Sequence, residues 1–149
     1  MNDLTVRIER LAPMRMASAS VVADDAERQA FDRLRAWAEP RGLFDVPGRR
    51  VFGFDNCQPS PNHRYTCMVP VGGDVRGDDD IGIVDLPGGA YAVATVRGAD
   101  NVHPAWARLS AWPAASGYRP AHRQALEEIV SPTDGHPDDL TLDLYLPVE

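Results

Sequence analysis

The chain carries a diverged copy of itself, and any fold it adopts must accommodate two equivalent halves. Ala30-Phe31-Asp32-Arg33-Leu34-Arg35-Ala36-Trp37 lies over Ala105-Trp106-Ala107-Arg108-Leu109-Ser110-Ala111-Trp112 at a shift of 75 positions, from 30 to 105. Ala, Arg, Leu, Ala and Trp coincide, and Phe31 meets a second aromatic, Trp106. The same shift lays Ala17 on Ala92, Ala19 on Ala94, Val21 on Val96 and Gly42 on Gly117. The pseudo-repeats run over about 14–71 and 89–148, so the 149 residues read as one domain built twice. Duplicated halves tend to leave a cleft where they meet, and clefts hold ligands.

Local patterning gives each half the order strand, helix, strand, strand. Leu4–Ile8 alternates apolar and polar residues, as a half-buried strand does, and Met14–Val22 reads as a second strand. Asp24 and Asp25 offer N-caps for a helix to about Glu39, with Ala30, Leu34 and Trp37 on one apolar stripe. Arg50–Phe54, Tyr65–Val71, Ile81–Leu86 and Tyr91–Val96 read as strands. Asp100 or Asn101 caps a second helix, which Pro113 is expected to end or kink. Arg123–Val130 and Leu140–Leu146 complete the second half. Two helices and about eight strands joined by hairpins predict an α+β fold with antiparallel sheets, each covered on one face by a helix.

Composition removes several function classes. Net charge is −7, from 15 basic and 22 acidic residues without a Lys/Arg run, which argues against a direct nucleic-acid partner. No apolar stretch approaches the roughly 20 residues that cross a bilayer, and Met1-Asn2-Asp3-Leu4 does not open a signal peptide; a cytoplasmic protein is expected. Cys57 and Cys67 stand alone and read as reduced thiols. His63, His103, His122 and His136 are scattered without ligand spacing, and Asp78-Asp79-Asp80 lacks the spacing of a calcium loop, so no metal and no cofactor is expected.

The residues left to carry chemistry are a carboxylate and a set of aromatics. On the last strand Leu142, Leu144 and Leu146 fall on one side, and Thr141, Asp143 and Tyr145 on the other. In the preceding strand Leu126 sides with the core, and Ala125, Glu127 and Ile129 point the opposite way. Glu127 among apolar neighbours would be costly to ionise alone, and a cationic ligand would remove that cost. Two readings stand side by side: a charge anchor in a dry groove, or a carboxylate that lies on a solvated sheet face or pairs with Arg123. Tyr65, Tyr91, Tyr145 and Phe54 fall at strand positions where they serve either as core or as walls for a flat or cationic guest. Met16 and Met68 offer an adaptable surface or ordinary core.

Several segments together resemble the gyrase-inhibitor-like (GyrI-like) small-molecule-binding domain. They are Gly53-Phe54-Asp55-Asn56 with Pro59-Ser60-Pro61, Leu86-Pro87-Gly88-Gly89-Ala90-Tyr91-Ala92-Val93, and Ala105-Trp106 to Trp112 with Ser116-Gly117-Tyr118. Leu126-Glu127-Glu128 and Leu142-Asp143-Leu144-Tyr145-Leu146-Pro147-Val148 complete the pattern. The resemblance implies two strand–helix–strand–strand modules related by a pseudo-two-fold axis, with a central groove for lipophilic, often cationic compounds. It maps the family's pocket glutamate onto Glu127 and its terminal aromatic onto Tyr145. It also implies sequestration or sensing of toxic compounds, as in the effector-sensing half of multidrug-responsive transcription factors; no helix-turn-helix precedes the domain here, so a free-standing copy is expected. Two further readings come with the family. One is a hydrolase of cyclopropane-bearing genotoxic compounds, with Glu127 as base and Tyr145 polarising the leaving group. The other is a partner that restrains gyrase. Close relatives carry a Gly-Tyr-Glu run where this chain has Thr66-Cys67-Met68, so Met68 replaces a second carboxylate, for which Asp143 is the available substitute.

Overall fold

The computed structural model describes residues 4–44, 46–130 and 139–149. Among them run eight strands and two α-helices in an α+β arrangement with antiparallel strand pairing. The strands are β1 (Arg7–Leu11), β2 (Met14–Val22), β3 (Phe52–Asp55), β4 (Arg64–Pro70), β5 (Gly82–Leu86), β6 (Gly89–Arg97), β7 (Leu126–Ile129) and β8 (Thr141–Pro147). The helices are α1 (Ala26–Ala38) and α2 (Val102–Ser116). The repeat is visible strand by strand: β2 and β6 stand 75 positions apart, have nine residues each and bury the same positions along their length.

The chain divides into two compact units, Pro13–Pro87 and the remainder, so β1 packs with the second half of the sequence. In that second unit the strand order is β1-β6-β8-β7, with Arg7 opposite Val93, Leu11 opposite Gly89, Ala94 opposite Leu144 and Leu126 opposite Tyr145. In the first unit the order is β5-β2-β4-β3, with Met14 opposite Leu86, Ser18 opposite Met68 and Phe52 opposite Met68. Each first strand therefore pairs outside its own repeat: β1 with β6, and β5, its equivalent 75 positions on, with β2.

A helix covers one face of each sheet because small residues there let it approach. Ala92, Ala94 and Val96 of β6 and Leu142 and Leu144 of β8 pack with Ala105 and Leu109 of α2. The equivalent Ala17, Ala19 and Val21 of β2 are buried in the other unit, where α1 buries Ala30, Phe31, Leu34, Trp37 and Ala38. Burying such side chains contributes about 1.5–3 kcal/mol for each large one.

Three local expectations are corrected. The first strand starts at Arg7 and reaches Leu11, because Leu11 is buried and the pairing with β6 sets its bounds. Pro113 lies inside α2, which continues to Ser116 with Pro113 among its buried residues, so the proline does not end the helix. Asp25 stands at the head of α1 and Asn101 at the head of α2, but neither caps with its side chain. The Asp25 carboxylate accepts from the Gln29 amide at 2.5 Å, and the Asn101 amide donates to the Arg97 carbonyl at 2.8 Å.

Candidate functional site

Strand alternation sorts the side chains onto two faces of each sheet. In the unit containing β6 to β8, the face opposite α2 carries Arg7 and Glu9 from β1, Tyr91, Val93 and Thr95 from β6, Asp143 and Tyr145 from β8, and Leu126 and Glu128 from β7. The Tyr91 and Tyr145 rings meet edge to face, with centroids 5.7 Å apart. The Tyr145 hydroxyl donates to Glu128 Oε1 at 2.7 Å. The structure thus assembles two aromatic rings and a half-buried carboxylate within one unit. Both rings are covered, Tyr91 being 2% and Tyr145 1% exposed.

Glu127 lies on the other face. It stands opposite Leu144, on the side that α2 covers, and its Oε2 accepts from the Trp106 indole at 3.1 Å. This places Glu127 in a helix-to-sheet contact and not beside Tyr145. Leu126 is buried, as expected, but on the Tyr145 face and not with Leu144. Sequence reasoning passed over Glu128. The usable signal was the parity of the strand: once Leu126 is set opposite Tyr145, the residue two positions on shares that face.

The same face also carries an ion-pair network. Arg7 donates to Thr95 Oγ1 at 3.1 Å and to Asp143 Oδ2 at 2.9 Å, and also pairs with Glu9. Thr95 donates to Asp143 Oδ1 at 2.5 Å. Both Asp143 oxygens are thus engaged, one by Arg7 and one by Thr95. Beyond this network, Arg123 places its guanidinium over the Tyr91 ring, 4.9 Å from the centroid.

The equivalent face of the Pro13–Pro87 unit is mostly apolar. Met16, Met68 and Phe52 are fully buried there and Phe54 is half-buried, with Ser20 and Thr66 hydroxyls 2.7 Å apart. Met16 occupies the place of Tyr91 in the repeat, and Met68 the place of Tyr145. Tyr65 does not join them. It falls on the opposite face with its ring across Gly53, where an added Cβ would lie 2.1 Å from the Tyr65 hydroxyl.

Among the described residues no three His, Cys, Asp or Glu side chains are grouped to hold a metal ion, and His136 falls outside them. Cys57 is exposed and Cys67 buried; burial pushes the Cys67 thiol up to about 12. No helix is long and apolar enough to cross a membrane among these residues.

The model of the GyrI-like small molecule binding domain family matches residues 4–149. By sequence, none of the curated proteins matches the chain. Among solved structures, the EcmrR C-terminal domain is similar at a TM-score of 0.74 and 14% identity, over 98% of this chain and 98% of that one. The chain spans 57% of EcmrR as seen in its DNA complex. A hydrolase from Listeria innocua is similar at a TM-score of 0.71 and 16% identity, over 100% of this chain and 94% of that one. SAV2435 bound to tetraphenylphosphonium is similar at a TM-score of 0.56 and 13% identity, over 98% of this chain and 94% of that one. Likeness at these identities speaks to the fold.

Proposed function

Because the chain belongs to the GyrI-like small molecule binding domain family, we propose that it binds lipophilic cations on the face formed by Tyr91, Tyr145 and Glu128, and so sequesters or senses them. The observation that carries this reading is the Tyr145 hydroxyl bonded to Glu128 beside the Tyr91 ring. Aromatic rings attract a cation through their quadrupole, by about 0.5–2 kcal/mol each, and a half-buried carboxylate adds a full charge. The neighbour that holds tetraphenylphosphonium supports the class of guest. In the other unit Phe54, Met16 and Met68, the two methionines fully buried, are apolar side chains of the kind that adapts to varied shapes. Tyr65 and Glu127 serve packing in this reading, each held against its own helix-covered face.

Binding without turnover is the reading favoured over hydrolysis, because an acid and a base must differ in protonation state and Asp143 is already held by Arg7 and Thr95. The test is calorimetric titration of tetraphenylphosphonium and of the neutral triphenylphosphine oxide. Glu128→Gln is expected to weaken the cation about tenfold, which corresponds to 1.4 kcal/mol, and to leave the neutral compound within about twofold. Glu127→Gln is expected to leave both within about twofold. Equal loss of both compounds in Glu128→Gln, or no binding by the wild type, would overturn the reading.

A further inference from the structure

We propose that Arg123 is an internal competitor for the ligand: its guanidinium holds the Tyr91 ring where a guest's positive charge would sit, and it must leave before that guest can bind. The inference rests on the reading of Tyr91, Tyr145 and Glu128 as the ligand face. Four observations carry it. The guanidinium stands 4.9 Å from the Tyr91 centroid, a cation–π distance. It lies flat on Gly89, where a Cβ would come within 2.7 Å of its Cζ, so a glycine is required for it to reach the ring. Its Nη2 donates to the Ala90 carbonyl. Its Nε is buried and has no hydrogen-bond partner among the described residues.

The last two observations make the group fit to be displaced. A buried N–H without an acceptor keeps its desolvation cost, so the seated position is held less tightly than its contacts suggest. The Ala90 carbonyl also accepts from the Val148 amide at 3.1 Å, so the backbone stays satisfied when Arg123 departs. Arg123 precedes β7 and belongs to no strand, so its movement breaks no ladder. Two cations cannot share one ring face. Any guest cation is therefore bound with an affinity reduced by the fraction of molecules in which Arg123 is seated. A guest without charge gains less from the vacated ring, so Arg123 also sets the threshold that separates strong cationic guests from weak ones.

The test compares wild type with Arg123→Met, which keeps the stem and removes the charge. Arg123→Gln is carried in parallel, so that a folding defect peculiar to one variant does not decide the result. Tetraphenylphosphonium is expected to bind both variants about tenfold more tightly than wild type, with a smaller gain for triphenylphosphine oxide. A second readout needs no ligand: nitration of Tyr91 by tetranitromethane, read by peptide mass, is expected to rise in the variants. Unchanged or weaker binding of the cation overturns the competition and leaves the proposed function standing. Absence of cation binding by every protein overturns the proposed function. The covering role then stands if Tyr91 nitration rises and falls if it does not.

Discussion

Gly53 and Glu127 occupy equivalent places in the two repeats, and their difference shows how one side chain redirects a whole face. Gly53 pairs with Cys67 and leaves room for the Tyr65 ring, whereas Glu127 pairs with Leu144 and reaches across to Trp106. Gly53→Ala would set a methyl 2.1 Å from the Tyr65 hydroxyl and 2.5 Å from its Cζ. The ring must move, at a cost of about 1–3 kcal/mol, which urea unfolding would register; an unchanged midpoint would show that Tyr65 has somewhere to go. At Glu127 and Glu128 the sequence offers two consecutive carboxylates, and neighbours on a strand face opposite ways. Choosing between them needs the partner strand, because Leu126 opposite Tyr145 fixes the parity. That pairing joins residues 19 apart and leaves no trace in local spacing. The aromatic pair was readable from residue type and strand position, and the acid beside it was not.

Among the elements, α1 has a tether that responds to pH. His63, just before β4, holds Glu27 of α1 through Nε2 at 2.6 Å. The hydrogen bond to Glu27 and, more weakly, the charges of Glu27 and Asp55 raise the His63 pKa above 6.5, against a smaller opposing effect of burial. A group whose folded pKa is raised stabilises fully below its unfolded value and loses that contribution as pH rises through the folded value. Wild type is therefore expected to exceed Glu27→Gln by about 0.2–1 kcal/mol at acidic pH, as for an exposed pair, and the gap should close above the folded pKa. A gap that is constant from about pH 5.5 to 8.5 would show that His63 charge does not matter. The helices and strands themselves were legible from periodicity, down to the nine residues of β2. Most of the other ends were not. Pro113 reads locally as a stop or a kink, yet α2 runs on to Ser116 with Pro113 buried, and Arg7–Leu11 takes its bounds from β6, not from its own alternation.

The repeat was legible along the whole chain, but the exchange of first strands was not, because a repeat in sequence does not say which copy a strand pairs with. β1 belongs to the unit of β6 and β8, and the chain leaves that unit at Ala12–Pro13 and returns at Pro87–Gly88. β1 closes one edge of β6, whose other edge pairs with β8. In an antiparallel ladder successive amides of a central strand point to alternate neighbours. Removing residues 1–12 should therefore expose every other amide of the Gly89–Val93 stretch of β6 to hydrogen exchange while β2 and β4, which pair with each other in the Pro13–Pro87 unit, keep their protection. The loss of the Arg7 bonds to Thr95 and Asp143 should loosen that end of β6 further. If β2 and β4 instead lose protection in step with β6, the two units unfold as one cooperative block. The N-terminal strand would then be a requirement of the entire fold and not of one unit.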